Sequence, residues 1–217
     1  MYRYNFQPVY TFESIPGFRL IVYGDYKCWD PVPEKVSQLL QIGKPDILLY
    51  DPSADKILLG VEETAAVPTG NQSLQRLERV WFAAESRIPF VYLIGEYGLH
   101  PDGGVRRSSI WPVYLALKLS SQHRVPSVTL FYGSAEQPEQ YSVGSGLEQL
   151  SKLASIYIQE WLGDTKTDEK AEMLRSIFLR MTQFVRSQYK EIADLLPGRD
   201  SLTSREMIDF MVQRVCA

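Results

Sequence analysis

The chain has 217 residues, of which 45% are hydrophobic, 12% aromatic and 23% charged, with a formal net charge of -3 from 23 Lys+Arg and 26 Asp+Glu. That composition excludes a disordered, collagenous or disulfide-scaffold protein and leaves ample chain for a hydrophobic core. The negative balance argues against coating nucleic acid by bulk charge, but a whole-chain sum says nothing about a local basic patch.

Taken in order, residues 18–24 (FRLIVYG) are rich in β-branched and aromatic side chains and predict a strand. Pro31 and Pro33 break the chain, and 33–42 place Val36, Leu39 and Leu40 at helical spacing with Gly43 as the stop. Two apolar runs follow, 46–51 and 56–62. Pro52-Ser53-Ala54-Asp55 between them predicts the turn of an antiparallel hairpin. A helix over 71–87 carries Leu74, Leu77, Trp81, Ala84 and Ile88 as its apolar stripe.

Residues 90–95 (FVYLIG) read as a buried strand and 127–132 (SVTLFY) as another strand. Between them come a loop over 98–107 and a helix near 109–121. The segment 133–145, rich in Gly, Ser, Gln and Glu, marks an internal boundary. Beyond it the pattern is helical only, near 146–162, 168–196 and 203–215. Leu174, Ile177, Phe178, Met181, Val185, Ile192 and Leu195 form a stripe on the second of these helices. The expected class is therefore α/β, more closely an α+β mixed sheet flanked by helices. Residues 1–140 would form the core and 141–217 a helical C-terminal region, packed on the core or in a dimer interface. Trp29, Trp81, Trp111 and Trp161 are expected as core or interface anchors.

Two cysteines, Cys28 and Cys216, and two histidines, His100 and His123, are too few for a disulfide framework, a four-cysteine zinc site or a multi-histidine centre. The stretch MYRYNFQPVY lacks the apolar core of a signal peptide. No apolar run approaches the roughly 18 residues that a membrane helix needs. The expectation is a cytoplasmic chain without a membrane partner.

The chemistry concentrates in the hairpin. Asp46 opens one strand and Glu62 closes its partner, with the turn at the far end, so antiparallel pairing gathers both carboxylates at one end. Alternation puts Glu62 and Thr64 on one face and Glu63 on the other. Two carboxylates at an open sheet end suit a hard divalent cation such as magnesium, which completes its shell with waters and phosphate oxygens. Such an ion can activate water and neutralise charge on a phosphodiester.

Pro45-Asp46, the hairpin, Glu62-Glu63-Thr64, the helix over 71–87 and the strand over 90–95 together resemble the PD-(D/E)XK nuclease family, the fold of many type II restriction endonucleases. The resemblance covers roughly 33–96, with looser agreement to about 133, and places the family's first core strand at 18–24. It implies a restriction endonuclease-like core and a magnesium-dependent endodeoxyribonuclease acting on double-stranded DNA, with Asp46 and Glu62 holding the metal. The family's last motif position is usually lysine and here is Thr64, a hydroxyl that can orient water but supplies no charge. Lys44 or an arginine of the following helix could supply it. The family often reaches into its site from that helix, which carries over Gln72, Gln75 and Arg76.

Gln72, Arg76 and Arg79 recur on one helix face. From 98 to 125 the basic residues Arg106, Arg107, Lys118 and Arg124 face the single acid Asp102. Arg79, Arg106 and Arg107 are therefore expected DNA contacts. Glu34 reads first as an acid favoured at a helix N-terminus. A homodimer follows from family analogy and from the apolar excess of the tail. The alternatives are a catalytically inactive or repair-type DNA-binding member of the same fold, and an interaction protein whose hairpin acids are merely solvated.

Overall fold

A computed structural model describes residues 2–5, 19–22, 32–64, 76–99, 105–132, 145–164 and 167–188. Six strands form one mixed sheet in the order β2-β1-β3-β4-β5-β8. They are β1 (Tyr2–Asn5), β2 (Arg19–Val22), β3 (Ile47–Asp51), β4 (Lys56–Thr64), β5 (Phe90–Gly95) and β8 (Ser127–Tyr132). A separate two-stranded ribbon pairs β6 (Tyr97–Leu99) with β7 (Val105–Arg107). The described helices are α1 (Glu34–Ile42), α2 (Leu77–Glu85), α3 (Ile110–His123), α4 (Ser145–Trp161) and α5 (Thr167–Gln188). The class is the expected one, an α/β chain with a mixed sheet. None of these helices is long and apolar enough to cross a membrane.

The central strands explain themselves. β5 is a continuous apolar run and β8 carries Ser127 and Thr129 among its apolar residues; all six residues of each are buried, as in strands covered on both faces. β4 runs parallel to β5 in the register Glu62↔Tyr92 and Thr64↔Ile94, and β5 runs parallel to β8. β3 and β4 form the expected antiparallel hairpin, with a register shift between Leu49 and Tyr50. At its turn the Asp51 carboxylate accepts from Ser53 N–H at 2.9 Å and Ser53 Oγ at 2.7 Å, the local bonding that makes Asp a turn former. Tyr50 O–H donates to Asp55 Oδ1 at 2.7 Å across the same turn.

The main core gathers β4, β5 and β8 with α2, α3, α4 and α5, and a smaller one joins α1 to Leu48, Tyr50 and Ile57. Leu174, Ile177, Phe178, Met181 and Val185 of α5 are all buried, so that stripe serves this sheet. Ile192, Leu195 and the helix expected over 203–215 lie outside the described residues. Gly60 is required by a close approach: a Cβ there would sit 2.6 Å from Phe90 Cδ2. Gly60→Ala is expected to cost about 1–3 kcal/mol through overpacking. Thermal unfolding checks this, and an unchanged midpoint would refute it.

Several expectations need correction. The strand expected to end at Glu62 runs on to Thr64, so Glu63 and Thr64 are strand residues held against β5. The family's first core strand, expected at 18–24, does not neighbour the hairpin; β2 is an edge strand parallel to β1, and β1 fills the position beside β3. The segment YRYN is short and lacks an apolar run, so nothing local announced it. The loop expected over 98–107 contains the β6–β7 ribbon. The described part of the helix expected over 71–87 is Leu77–Glu85, with Arg76 in a turn before it. Its buried residues are Val80, Ala83 and Ala84, while Trp81 is exposed, and so is Trp111. The expected stripe was rotated from the true one, because Arg76 and Arg79 share the inward face.

Candidate active site

Everything converges on the carboxyl end of β4. Asp46 sits in the bend that leads into β3, and its Oδ2 accepts from the Glu63 backbone N–H at 2.6 Å. That bond fastens the start of one strand to the end of the other, so the two acids meet as their spacing predicts. Asp46 and Glu62 are fully buried, with 2% and 0% of their surface accessible. Buried carboxylates demand partners, since an uncompensated charge in a low-dielectric interior is costly.

Glu62 finds two. Arg76 Nη1 lies 2.9 Å from Glu62 Oε1, and Arg79 Nη1 lies 2.5 Å from Oε2. The same Arg76 nitrogen donates to Glu63 O at 2.5 Å and to Thr64 Oγ1 at 3.1 Å. Three oxygens, one each from Glu62, Glu63 and Thr64, therefore surround one cationic nitrogen. Thr64 Oγ1 is also hydrogen-bonded to Tyr92 OH at 3.2 Å, one strand across. The alternation expected along β4 holds: Glu62 and Thr64 share Arg76, while Glu63 accepts from Tyr132 O–H on the other side.

The electrostatics follow from burial. Desolvation is the main cause that pushes Glu62 up from 4.5 to about 7, and the neighbouring Asp46 charge adds to it. Arg79 and Arg76 counteract only part of that rise. Asp46 is also raised, again by desolvation, against the Glu63 N–H bond and both arginines. Burial raises the Tyr92 phenol as well. The pair thus has a strong appetite for positive charge, which a proton, a guanidinium or a metal ion could satisfy.

Arg79 reaches Glu62 past Gly43, whose missing side chain makes the room: a Cβ there would lie 2.5 Å from Arg79 Cγ. Because the clash is with the stem of the arginine, Gly43→Ala is expected to displace it from Glu62 and destabilise the fold by about 1–3 kcal/mol. Urea unfolding reads this, and it should be non-additive with Arg79→Ala. Full additivity would show that Gly43 does not act through Arg79.

Of the expected site residues, Asp46, Glu62, Thr64 and Arg76 come together. Gln72 and Gln75 lie outside the described residues. Arg79, expected as a DNA contact, is an ion-pair partner of Glu62. Arg106 lies on β7 opposite Gly98, with only its backbone described. Arg107 is not a loop arm; it pairs with buried Glu96 at 2.7 Å. Glu34 is exposed at the start of α1 and accepts from Gln38 at 3.2 Å, consistent with its helix-terminal reading.

Sequence reasoning missed Tyr92, Tyr132 and Glu96. The first two lie in apolar runs where a tyrosine looks like core, and only strand register brings their hydroxyls to Thr64 and Glu63. Among the described residues no three His, Cys, Asp or Glu side chains gather as a metal cluster. Magnesium needs only one or two carboxylates, so the Asp46–Glu62 pair meets its requirement. No family model, curated protein or solved structure matches the chain.

Proposed function

We propose that the chain is a magnesium-dependent endodeoxyribonuclease of the PD-(D/E)XK type that hydrolyses phosphodiester bonds in double-stranded DNA. One observation carries the reading: the Glu62 carboxylate, the Glu63 carbonyl and the Thr64 hydroxyl converge on a single cationic nitrogen beside buried Asp46. An oxygen-only donor set of this kind fits a hard divalent cation, and the guanidinium stands in for that charge. The order α1-β3-β4-α2-β5, with β5 parallel to β4, supports the reading through the latter part of the family core alone.

Asp46 and Glu62 would hold the ion, which when bound would polarise the scissile phosphate and lower the pKa of water. Asp46 keeps its geometry through the Glu63 N–H bond. Thr64, held by Tyr92, presents a hydroxyl that can orient a water. Arg76 answers the absent motif lysine: it brings positive charge from the start of α2 to 3.1 Å from the Thr64 oxygen. Arg76, whose guanidinium geometry suits a phosphate oxygen, would be the residue to meet one beside a metal-loaded Asp46–Glu62 pair.

The test is incubation of purified protein with plasmid and phage DNA plus magnesium. The expected result is cleavage that EDTA abolishes, with discrete fragments if recognition is sequence-specific. Intact DNA with both magnesium and manganese would refute the reading and favour an inactive DNA-binding relative.

A further inference from the structure

Beside Glu62 two buried hydroxyls hold one proton more than their surroundings accept. Tyr92 on β5 is the register partner of Glu62, and Thr64 lies two residues further along β4. Glu62, Thr64 and Tyr92 therefore share one face of the sheet. Tyr92 is fully buried and Thr64 is 4% exposed, and their hydroxyls meet at 3.2 Å. Among the described residues, the other hydrogen bond to this pair comes from Arg76 Nη1, 3.1 Å from Thr64 Oγ1.

Donors and acceptors can be counted here. Each hydroxyl carries one proton, and a guanidinium only donates. One proton fills the Thr64–Tyr92 bond, and the other has no acceptor among the described residues. A buried donor left unmade is costly, so the pair is built for an acceptor that comes from outside.

Acidity decides which hydroxyl keeps the extra proton. The phenol is the stronger donor of the two, and the alkyl hydroxyl is the better acceptor. Tyr92 therefore donates to Thr64. Both lone pairs of Thr64 Oγ1 are then engaged, one by Tyr92 and one by Arg76. Its own proton points away from both, and accepting two bonds polarises it into a stronger donor. Such a donor would hold a water through a lone pair that attack requires. It suits better an oxygen that gains negative charge and attacks nothing, a non-bridging oxygen of the phosphate being cut.

We propose that Thr64 donates its hydroxyl proton to a non-bridging oxygen of the scissile phosphate, and that Tyr92 is the positioning residue that turns it there. The identity of the acceptor rests on the nuclease reading; the unused donor rests on the hydrogen bonds alone. Thr64 thereby touches the reacting group, while Tyr92 acts through Thr64.

Steady-state cleavage by Thr64→Val, Thr64→Ser, Tyr92→Phe and the Thr64→Val/Tyr92→Phe pair tests this. Thr64→Val should lower kcat about 100-fold, the cost of one such donor, with KM little changed. Tyr92→Phe should lower kcat about tenfold, the loss of one neutral hydrogen bond that orients the donor. Thr64→Ser keeps the hydroxyl and should restore most of the rate. The double variant should be no slower than Thr64→Val, because Tyr92 acts only through that hydroxyl. Duplex affinity in EDTA, read by fluorescence anisotropy, should change less than about twofold in every variant, since the bond strengthens only as charge develops. Urea unfolding confirms that each variant is folded.

An unchanged rate in folded Thr64→Val or Tyr92→Phe would overturn the proposal. So would additive losses in the double variant, or a fall in duplex affinity as large as the fall in kcat. Each of these results, with cleavage by the unmodified chain, leaves the nuclease reading standing. Intact DNA with the unmodified chain would refute both together.

Discussion

Asp46→Asn is expected to lower magnesium-dependent cleavage about 1000-fold while leaving a folded protein. Asparagine is the informative substitution because the side chain does two separable things. Its Oδ2 accepts the Glu63 N–H and so ties β3 to β4. An amide oxygen can accept that bond equally well, so the hairpin end stays closed. What asparagine cannot supply is the second negative charge beside Glu62. Loss of a metal ion's stabilisation of a phosphoryl transition state is worth several kcal/mol. At about 1.4 kcal/mol per tenfold, that is on the order of 1000-fold in rate. Glu62→Gln should match it, and the two together should be no worse than either, since both remove the same ion. Initial rates on supercoiled plasmid, with circular dichroism to confirm folding, decide the matter. Cleavage within tenfold of the unmodified chain in either variant would remove these acids from the mechanism.

The second large effect concerns stability and needs no substrate. Glu62 binds its proton at about 7 in the folded chain, against 4.5 for an ordinary glutamate. Between those pH values the folded state therefore carries more protons than the unfolded one, so stability falls as pH rises. Glu62 contributes most favourably below about 4.5, loses ground through the window, and levels off above 7. At about 1.4 kcal/mol per pKa unit the difference is about 3 kcal/mol. Asp46 is shifted in the same direction and adds to the decline. Glu62→Gln does not titrate there, so relative to it the unmodified chain should lose about 3 kcal/mol between pH 5 and pH 8. Urea unfolding at both values measures this. Parallel behaviour of the two proteins would mean that Glu62 is ionised throughout, with its arginines outweighing burial. Magnesium should shift the balance back at pH 8, since an ion that binds only the folded carboxylates stabilises them by mass action.

The hairpin was legible because its signals are local. Pro-Asp at one strand start, a four-residue turn and an acid ending the partner strand determine that Asp46 and Glu62 meet. The apolar run of β5 was equally plain, since a strand buried on both faces needs no alternation. The α2 face was harder. Arg76 was expected to reach into the site and Arg79 to meet DNA, but the apolar spacing put Trp81 on the buried stripe. Here the buried Glu62 draws both inward, so the helix turns its Trp81 to solvent and buries Val80, Ala83 and Ala84. No count of apolar residues in that helix alone could have given this phase, because its cause lies on another strand. Glu96 with Arg107 and Arg180 was illegible for the same reason, its members being scattered from residue 96 to 180. β1 was missed for want of an apolar run.

Glu62 and Glu63 are chemically identical neighbours, and a strand shifted by one residue would exchange their faces. Glu63 would then meet the arginines and Glu62 would meet Tyr132, with similar pairings. What distinguishes the two is tethering at both ends of the hairpin. The Asp46–Glu63 bond fixes one end. At the other, Trp161 donates to Asp51, with Lys56 lying 4.3 Å over the indole ring. A tryptophan at the far end of α4 thus serves as an alignment pin for a carboxylate at the opposite end of the sheet. It favours the register in which Glu62, and not Glu63, faces Arg76 and Arg79.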